Sequence, residues 1–454
     1  MVISLAVVIM LDSTPLPIWL TEEEKSRLDE IGSWVVTTPP PSDSVDALAE
    51  FEPAQGVLLR WDFYYWQDLY IELTRSIVEC ARAYIVVRTQ SQANRVRSTL
   101  QQNGVPLDSV EFFYTPTNSV WIRDYGPWWI YHLSDSTRGI VDFEYNRPRP
   151  DDDTMPWHLA HIWNVPLYIS DLVHTGGNFM VDGLGCGFAT NLIYQENNYT
   201  PQEIESILGA YMGLDTLYVF QRIHGEYTGH IDMWAKLIND HTVMVAYYPP
   251  GDPNHDLLNQ HAERFASIKN GNGVYFDTIR IPSPPVYSGV YRTYTNSLII
   301  NNRVLLPIYN HPYDTTALRI YQQAMPAYKI ETFDCSSIIQ SGGAVHCISK
   351  LVALPKPPGP EIGLYRFQPP PEHRLIGPNP GQEFWFAFTL KEERKVRISL
   401  LDKLGRRVKV WRDEKLSPGN HRIRLNLSRL PAGIYFLSAE LGIDQIIEKL
   451  VVID

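Results

Sequence analysis

Paired cysteines, long apolar runs and an excess of positive charge are all missing from this chain, and each absence removes a class of function. The four cysteines, Cys80, Cys186, Cys335 and Cys347, are widely scattered and form no CxxC pair. Neither a zinc site nor a disulfide framework is indicated, and at most a single disulfide is left open. No run of 18 or more apolar residues occurs, so no membrane span is expected. The net charge of −12 argues against nucleic acid as a partner. Such a field attracts cations only weakly through salt, which screens it within about 8–10 Å, so any specificity for a cation must come from local carboxylates. Charged residues make up only 20% of the chain, against 12 Trp and 26 Tyr, a composition that folds compactly. Its 454 residues suffice for a large core and at least two domains.

Residues 1–11 form a short apolar run followed by Asp12, Ser13, Thr14 and Pro15. This is the pattern of a secretory h-region without its basic n-region, or of a buried N-terminal strand. Thr21-Glu22-Glu23-Glu24 is a capping box that opens a helix through Ile31, before Pro39, Pro40 and Pro41 break the pattern. From Phe51 the chain alternates short apolar strands (56–59, 83–87, 141–145, 217–220, 242–247, 297–300) with amphipathic helices (68–80, 92–103, 201–212, 257–268, 315–325). That rhythm is mixed α/β, compatible with weakly repeated ββαβ units. Proline-rich stretches at 354–360 and 369–371 read as a semi-rigid spacer. Beyond them, strands at 384–390, 396–401, 408–411, 421–427, 433–440 and 445–453 predict a small all-β sandwich.

The chemistry-bearing residues are dispersed. Cys347 follows Gly342-Gly343, where no bulky Cβ crowds an approaching substrate, which suits a thiol nucleophile and equally a small buried apolar residue. Asp124 lies between aromatics and a Gly-Pro turn, a costly place for a carboxylate unless a cation meets it; a local pairing with Arg123 is the plainer account. His230 and Asp232, two residues apart, project from one face if the segment is extended, as a proton-moving imidazole beside a cation-holding carboxylate, or as a structural histidine that the carboxylate merely orients. No further His/Asp cluster completes a metal site around them. Arg147 and Arg149, fixed by prolines, form a plausible fork for a carboxylate, or are ordinary surface residues. Turns at Thr175-Gly176-Gly177-Asn178 and Tyr294-Thr295-Asn296-Ser297 carry asparagines that orient neighbours or only shape the turn.

Taken as a set, Ala49-Glu50-Phe51-Glu52-Pro53, residues 121–128, Gly176-Gly177-Asn178, Glu226-Tyr227-Thr228-Gly229-His230-Ile231-Asp232, Thr293-Tyr294-Thr295-Asn296-Ser297-Leu298 and His346-Cys347 resemble the guanidino-group-modifying enzymes. Within them the likeness is to the branch holding agmatine deiminases and bacterial peptidylarginine deiminases, and it spans residues 49–354. The resemblance implies an α/β-propeller of five pseudo-repeated units, with Cys347 as nucleophile, His230 as general acid/base, Asp124 and Asp232 as guanidinium-binding carboxylates, and Asn296 as the polar residue near the thiol. Trp121 would lie along the substrate's aliphatic stem, and Tyr227 and Thr228 would line the pocket. No metal or organic cofactor is implied, and the acidic calcium loops of the vertebrate-type enzymes are not evident. The Asn146-Arg147-Pro148-Arg149-Pro150 run and the Tyr-Thr-Asn-Ser-Leu motif look like the Porphyromonas-type enzyme, in which two arginines suit a substrate with an α-carboxylate.

Pro378-Asn379-Pro380-Gly381, Leu430-Pro431-Ala432-Gly433-Ile434-Tyr435-Phe436 and Glu448-Lys449-Leu450-Val451-Val452 resemble a type IX secretion sorting domain, with a plain structural or carbohydrate-binding β-domain as the alternative. The expected layout is therefore a partial signal peptide (1–20), a catalytic α/β domain (21–354), a linker (355–375) and an Ig-like sandwich (376–454). Export to the cell surface or beyond, with the type IX machinery as a partner, follows. The bacterial peptidylarginine deiminases carry an extra Ig-like domain for which this chain has no room, and Thr228, residues 343–345 and Cys186 do not match with assurance. The expected reaction is deimination of arginine, chiefly C-terminal peptidyl-arginine, to citrulline and ammonia. Deimination of agmatine or free arginine is the alternative, and an inactive guanidinium-binding surface protein a further one.

Overall fold

In the computed structural model, which describes residues 15–33, 35–62, 65–355, 373–376, 383–390, 392–401, 407–428, 430–431, 433–441 and 444–452, one strand order repeats five times in the first part of the chain. Each repeat has an antiparallel strand pair, a helix, and a third strand parallel to the second. The first runs Trp128–His132, Arg138–Glu144, helix Met155–Trp163, Leu167–Val173. The second is Met180–Val181, Cys186–Thr190, helix Pro201–Met212, Thr216–Phe220. The third is Ala235–Asn239, Thr242–Tyr247, helix His255–Ser267, Asp277–Pro282. The fourth is Leu298–Ile300, Arg303–Ile308, helix Tyr313–Ala324, Lys329–Asp334. The fifth is assembled from distant parts of the sequence, since Ser349–Ala353 pairs with Ala54–Arg60, which continues through helix Gln67–Val78 to Arg82–Val87. Each sheet is open, with three or four strands.

The local chemistry explains the pattern. Parallel strands need cover on both faces, and Val57, Leu58, Leu59, Ile85, Val86 and Val87 are all fully buried. Helix Pro201–Met212 starts at a Thr200 capping box with proline in its first turn and stops at Gly213 in the left-handed region (φ 72°). The Thr21 capping box also forms, with the Thr21 amide donating to Glu24 Oε2 at 2.8 Å. Its helix is shorter than expected, Glu22–Lys25 followed by a 3-10 turn at Leu28–Glu30, because Ser26 Oγ donates to the Glu23 carbonyl and competes with the backbone ladder.

The repeat positions the site. The segment before the first strand of each unit carries one of its residues: Asp124, Gly177, His230 with Asp232, Asn296 and Cys347.

The chain divides at residue 364 into two compact units. In the second, strands His373–Ile376, Glu383–Leu390 and Gly419–Asn426 form one antiparallel sheet, and Arg407–Leu416, Arg394–Leu401, Gly433–Leu441 and Asp444–Val452 another. Phe386, Phe388, Val396, Ile398, Leu425 and Leu437 fill their common core, as the alternating pattern predicts. The expected linker prolines after Pro355, the Pro378–Gly381 motif and most of the expected signal segment lie outside the described residues. Residues 16–20 are hydrogen-bonded into the first unit; Ile18 is fully buried and its amide donates to the Ser341 carbonyl at 3.0 Å. No described helix is long and apolar enough to cross a membrane, and all four cysteines are free.

Candidate active site

Asn296 is the hub. Its Oδ1 accepts from the amides of Ala344 (3.1 Å) and Cys347 (3.3 Å), and its Nδ2 faces both Cys347 Sγ (3.2 Å) and Asp232 Oδ2 (3.0 Å). One amide side chain thereby fixes the thiol loop and the carboxylate beside it. Cys347 Sγ lies 3.9 Å from Asp232 Oδ2. A Cβ on Gly343 would fall 2.9 Å from that sulfur and 2.7 Å from the Trp121 ring. Of the glycine pair, Gly343 clears the space at the thiol, whereas Gly342 (φ 102°) makes room for Ile18 and Trp19. Burial pushes the Cys347 thiol well above its ordinary pKa, and Asp232 and Asp124 push it further, against the pull of Asn296. Asp232 and Asp124 each face a histidine, at 2.6 Å and 3.6 Å, and together with burial they hold the resting sulfur toward its thiol form.

The two carboxylates are not a local pair with neighbouring arginines. Arg123 turns away from Asp124 to Glu50, at 3.0 Å. Asp124 Oδ1 instead accepts from the Gly177 amide (3.1 Å) and faces His230 Nδ1 at 3.6 Å. Burial raises the Asp124 pKa, partly offset by His230. His230 Nε2 contacts Thr175 Oγ1 at 3.0 Å, which leaves Nδ1 without a hydrogen bond. The His-x-Asp pair is not extended throughout, since a 3-10 turn at Ile231–Met233 begins directly after His230. Asp232 Oδ1 is buried and unpaired. Asp124, His230, Asp232 and Cys347 are each at most 2% exposed.

The residues expected to contact substrate are divided. Arg147 borders a cleft of about 870 Å³ together with Glu196, Glu226, Tyr227, Thr228 and Met233. Its Nε donates to the Ile18 carbonyl and its Nη1 to that of Asn146. Arg149 does not join it. Its guanidinium is 1% exposed and clasps Glu24 through Nε (2.6 Å) and Nη2 (3.2 Å), with further bonds to the Pro17 and Trp19 carbonyls. The expected two-arginine fork is thus corrected to one arginine, since a buried fork already holding a carboxylate has no face left for a substrate. Trp121 is fully buried, its ring beside Gly343 and its Nε1 bonded to the Leu16 carbonyl at 2.8 Å. Tyr227 is exposed and packs on Trp19, ring centroids 5.4 Å apart. Thr228 is buried, its hydroxyl on Glu226. Residues 16–24 therefore touch Trp121, Arg147, Arg149 and Tyr227 alike and wall the site.

Several residues at the site had no role in the sequence reading. Gly177 is one: a Cβ there would fall 2.4 Å from His230 Nδ1 and 2.9 Å from Asp124 Oδ1. Thr175 orients the imidazole. Glu50 and His346 were visible in two motifs, but nothing in the sequence brings positions 296 residues apart to 2.6 Å.

The sequence matches the family described as Porphyromonas-type peptidyl-arginine deiminase over residues 46–352, and residues 376–453 match the secretion system C-terminal sorting domain. A sorting domain of that kind makes this an exported protein, secreted or held at the cell surface. A Vibrio parahaemolyticus protein provisionally assigned as an agmatine deiminase is 25% identical over 363 residues, 70% of this chain and 99% of that one. The agmatine deiminase of Enterococcus faecalis has a similar fold (TM-score 0.62, 23% identity, covering 71% of this chain and 99% of that chain). So has a provisionally assigned arginine deiminase from Porphyromonas gingivalis (TM-score 0.61, 22% identity, covering 69% and 98%).

Proposed function

This chain belongs to the Porphyromonas-type peptidyl-arginine deiminase family, whose members hydrolyse guanidino groups, and we propose that it deiminates arginine bearing a free carboxylate to citrulline and ammonia through a covalent Cys347 intermediate. The observation that carries this reading is the buried, unpaired Asp232 Oδ1 facing a site that also holds Asp124, His230 and a protonated thiol. A buried carboxylate oxygen left without a donor is costly, and a guanidinium, charged at every ordinary pH, supplies donors in a fixed fork.

In this mechanism Asp124 and Asp232 grip the guanidinium and present Cζ to the sulfur. The arriving cation offsets the two negative charges that hold the thiol up, so Cys347 loses its proton to His230 in the complex. The thiolate attacks Cζ to give a tetrahedral adduct, and His230 returns the proton to the departing amine as the C–N bond breaks, releasing ammonia and leaving an S-alkylthiouronium. His230 then deprotonates a water that attacks the same carbon; the C–S bond breaks, and the ureido product and thiol are regenerated. Asn296 holds the sulfur throughout, while Trp121, Tyr227 and Thr228 wall the stem of the substrate. The five ββαβ units are proposed to surround the site as the blades of an α/β-propeller, with the C-terminal sandwich serving recognition by the type IX machinery.

Arg147 is the residue proposed to receive the substrate carboxylate. A second reading, agmatine as substrate, is favoured by the engagement of Arg149 with Glu24 and by Glu196 and Glu226 on the cleft wall, which suit an ammonium. Citrulline-type product formation from a peptide ending in arginine, free arginine, a peptide with internal arginine and agmatine separates the two. The proposal expects kcat/KM for the C-terminal arginine peptide to exceed that for agmatine by about tenfold or more; a preference for agmatine rejects the role of Arg147.

A further inference from the structure

Behind Asp232 lies a second buried set of charges with no part in the reaction described above. His346 Nδ1 is 2.6 Å from Asp232 Oδ2, and its Nε2 is 2.6 Å from Glu50 Oε2. Glu50 also accepts from the Ile299 amide at 3.0 Å, pairs with Arg123 at 3.0 Å and bonds the Lys236 ammonium. The His346 and Asp232 side chains are 4% and 1% exposed.

A contact of 2.6 Å between an imidazole nitrogen and a carboxylate oxygen requires a proton between them, and a neutral imidazole carries only one. Burial raises the pKa of Glu50, but Lys236, His346 and Arg123 together hold it well below the carboxylate range. The proton on the Glu50 side therefore sits on His346 Nε2. A second proton must occupy the line between Nδ1 and Asp232. Burial, Arg123 and Lys236 draw His346 below its ordinary pKa, against Glu50 and Asp232, which draw it up. The geometry argues the other way, since both nitrogens face acceptors at 2.6 Å at once.

We infer that Glu50–His346–Asp232 is a relay in which His346 is a positioning residue: it carries one proton more than a neutral imidazole, fixes Asp232 Oδ2, and so aims Oδ1 at the substrate guanidinium. The inference rests on the assignment of Asp232 as a guanidinium-binding carboxylate. Glu50 and His346 also border a cavity of about 80 Å³ on the side of Arg123 and Lys350, large enough for a few waters through which the relay exchanges protons.

Two substitutions of the full-length chain separate the halves of the relay. In His346→Asn the amide nitrogen takes the place of Nδ1 and keeps the bond to Asp232; in His346→Gln it takes the place of Nε2 and keeps only the bond to Glu50. Both are neutral. The relay predicts KM within about threefold of wild type for His346→Asn and about tenfold higher for His346→Gln. The acid limb of kcat/KM moves to higher pH by about one unit in both, because a positive charge beside Asp232 is lost. Thermal unfolding establishes that each variant is folded, and either one alone is decisive through its pH limb. An acid limb that stays in place, or a KM better preserved by Gln than by Asn, overturns the relay. Full turnover by Cys347→Ala would instead overturn the reaction on which it rests.

Discussion

The two units of this protein bury different things. In the first, charged side chains from distant parts of the sequence are taken out of water together, among them Arg123, Asp124, His230, Asp232, Lys236 and Lys350. In the second, the buried polar side chains among the described residues are Ser399 and Ser438, and the ion pairs, such as Arg397 with Asp413 at 2.8 Å, lie on the surface. Burying ionised groups costs several kcal/mol apiece unless each is paired, so a core assembled for stability alone leaves them out, as the sandwich does. The first unit accepts that cost where the reaction needs charge.

Substitutions in the two units should therefore be read by different instruments. Short of removing the thiol itself, the largest effect on turnover is expected from Gly177→Ala, whose Cβ would press on His230 and Asp124; kcat/KM should fall about 100-fold or more with the fold retained, and near-normal turnover would show that those two side chains have room to move. Next, Glu24→Gln breaks the buried pair with Arg149 and should destabilise the first unit by about 3 kcal/mol at neutral pH. Burial raises the Glu24 pKa, yet Arg149 and Thr21 outweigh it and leave it below 4.5 in the folded state. A carboxylate lowered on folding contributes stability that is complete above its unfolded value and is lost as pH falls through the folded one. The gap in unfolding temperature between wild type and variant should accordingly close below about pH 4.5; a gap constant with pH would mean that the pair contributes no charge energy. In the sandwich, Leu400→Ala should cost about 2–5 kcal/mol through the cavity it leaves and leave kcat/KM unchanged, whereas Asp413→Ala, an exposed pair, should shift neither measurably. Loss of turnover from either sandwich variant would break the comparison.

Legibility in the sequence followed the range of the interaction. The Thr21 cap, helix Pro201–Met212 and the sandwich strands are set by neighbours in the chain and could be read directly. So could the types of residue at the site, because a thiol after two glycines and isolated acids among aromatics are unusual in any core. What could not be read were partnerships across more than a hundred positions. Arg149 looked free for substrate because Glu24 is 125 residues away, and His346 had no role because its two carboxylates lie at positions 50 and 232. The extended form assumed for His230 and Asp232 failed for a local reason, the 3-10 turn over Ile231–Met233.

The central claim, that a thiol buried between two acids becomes a nucleophile when a guanidinium arrives, is tested most directly by the product of the Cys347→Ala chain with arginine-ended peptide. The account predicts that ureido product and ammonia fall below detection while the peptide still binds and the fold is intact. Product formation at the wild-type rate would contradict it.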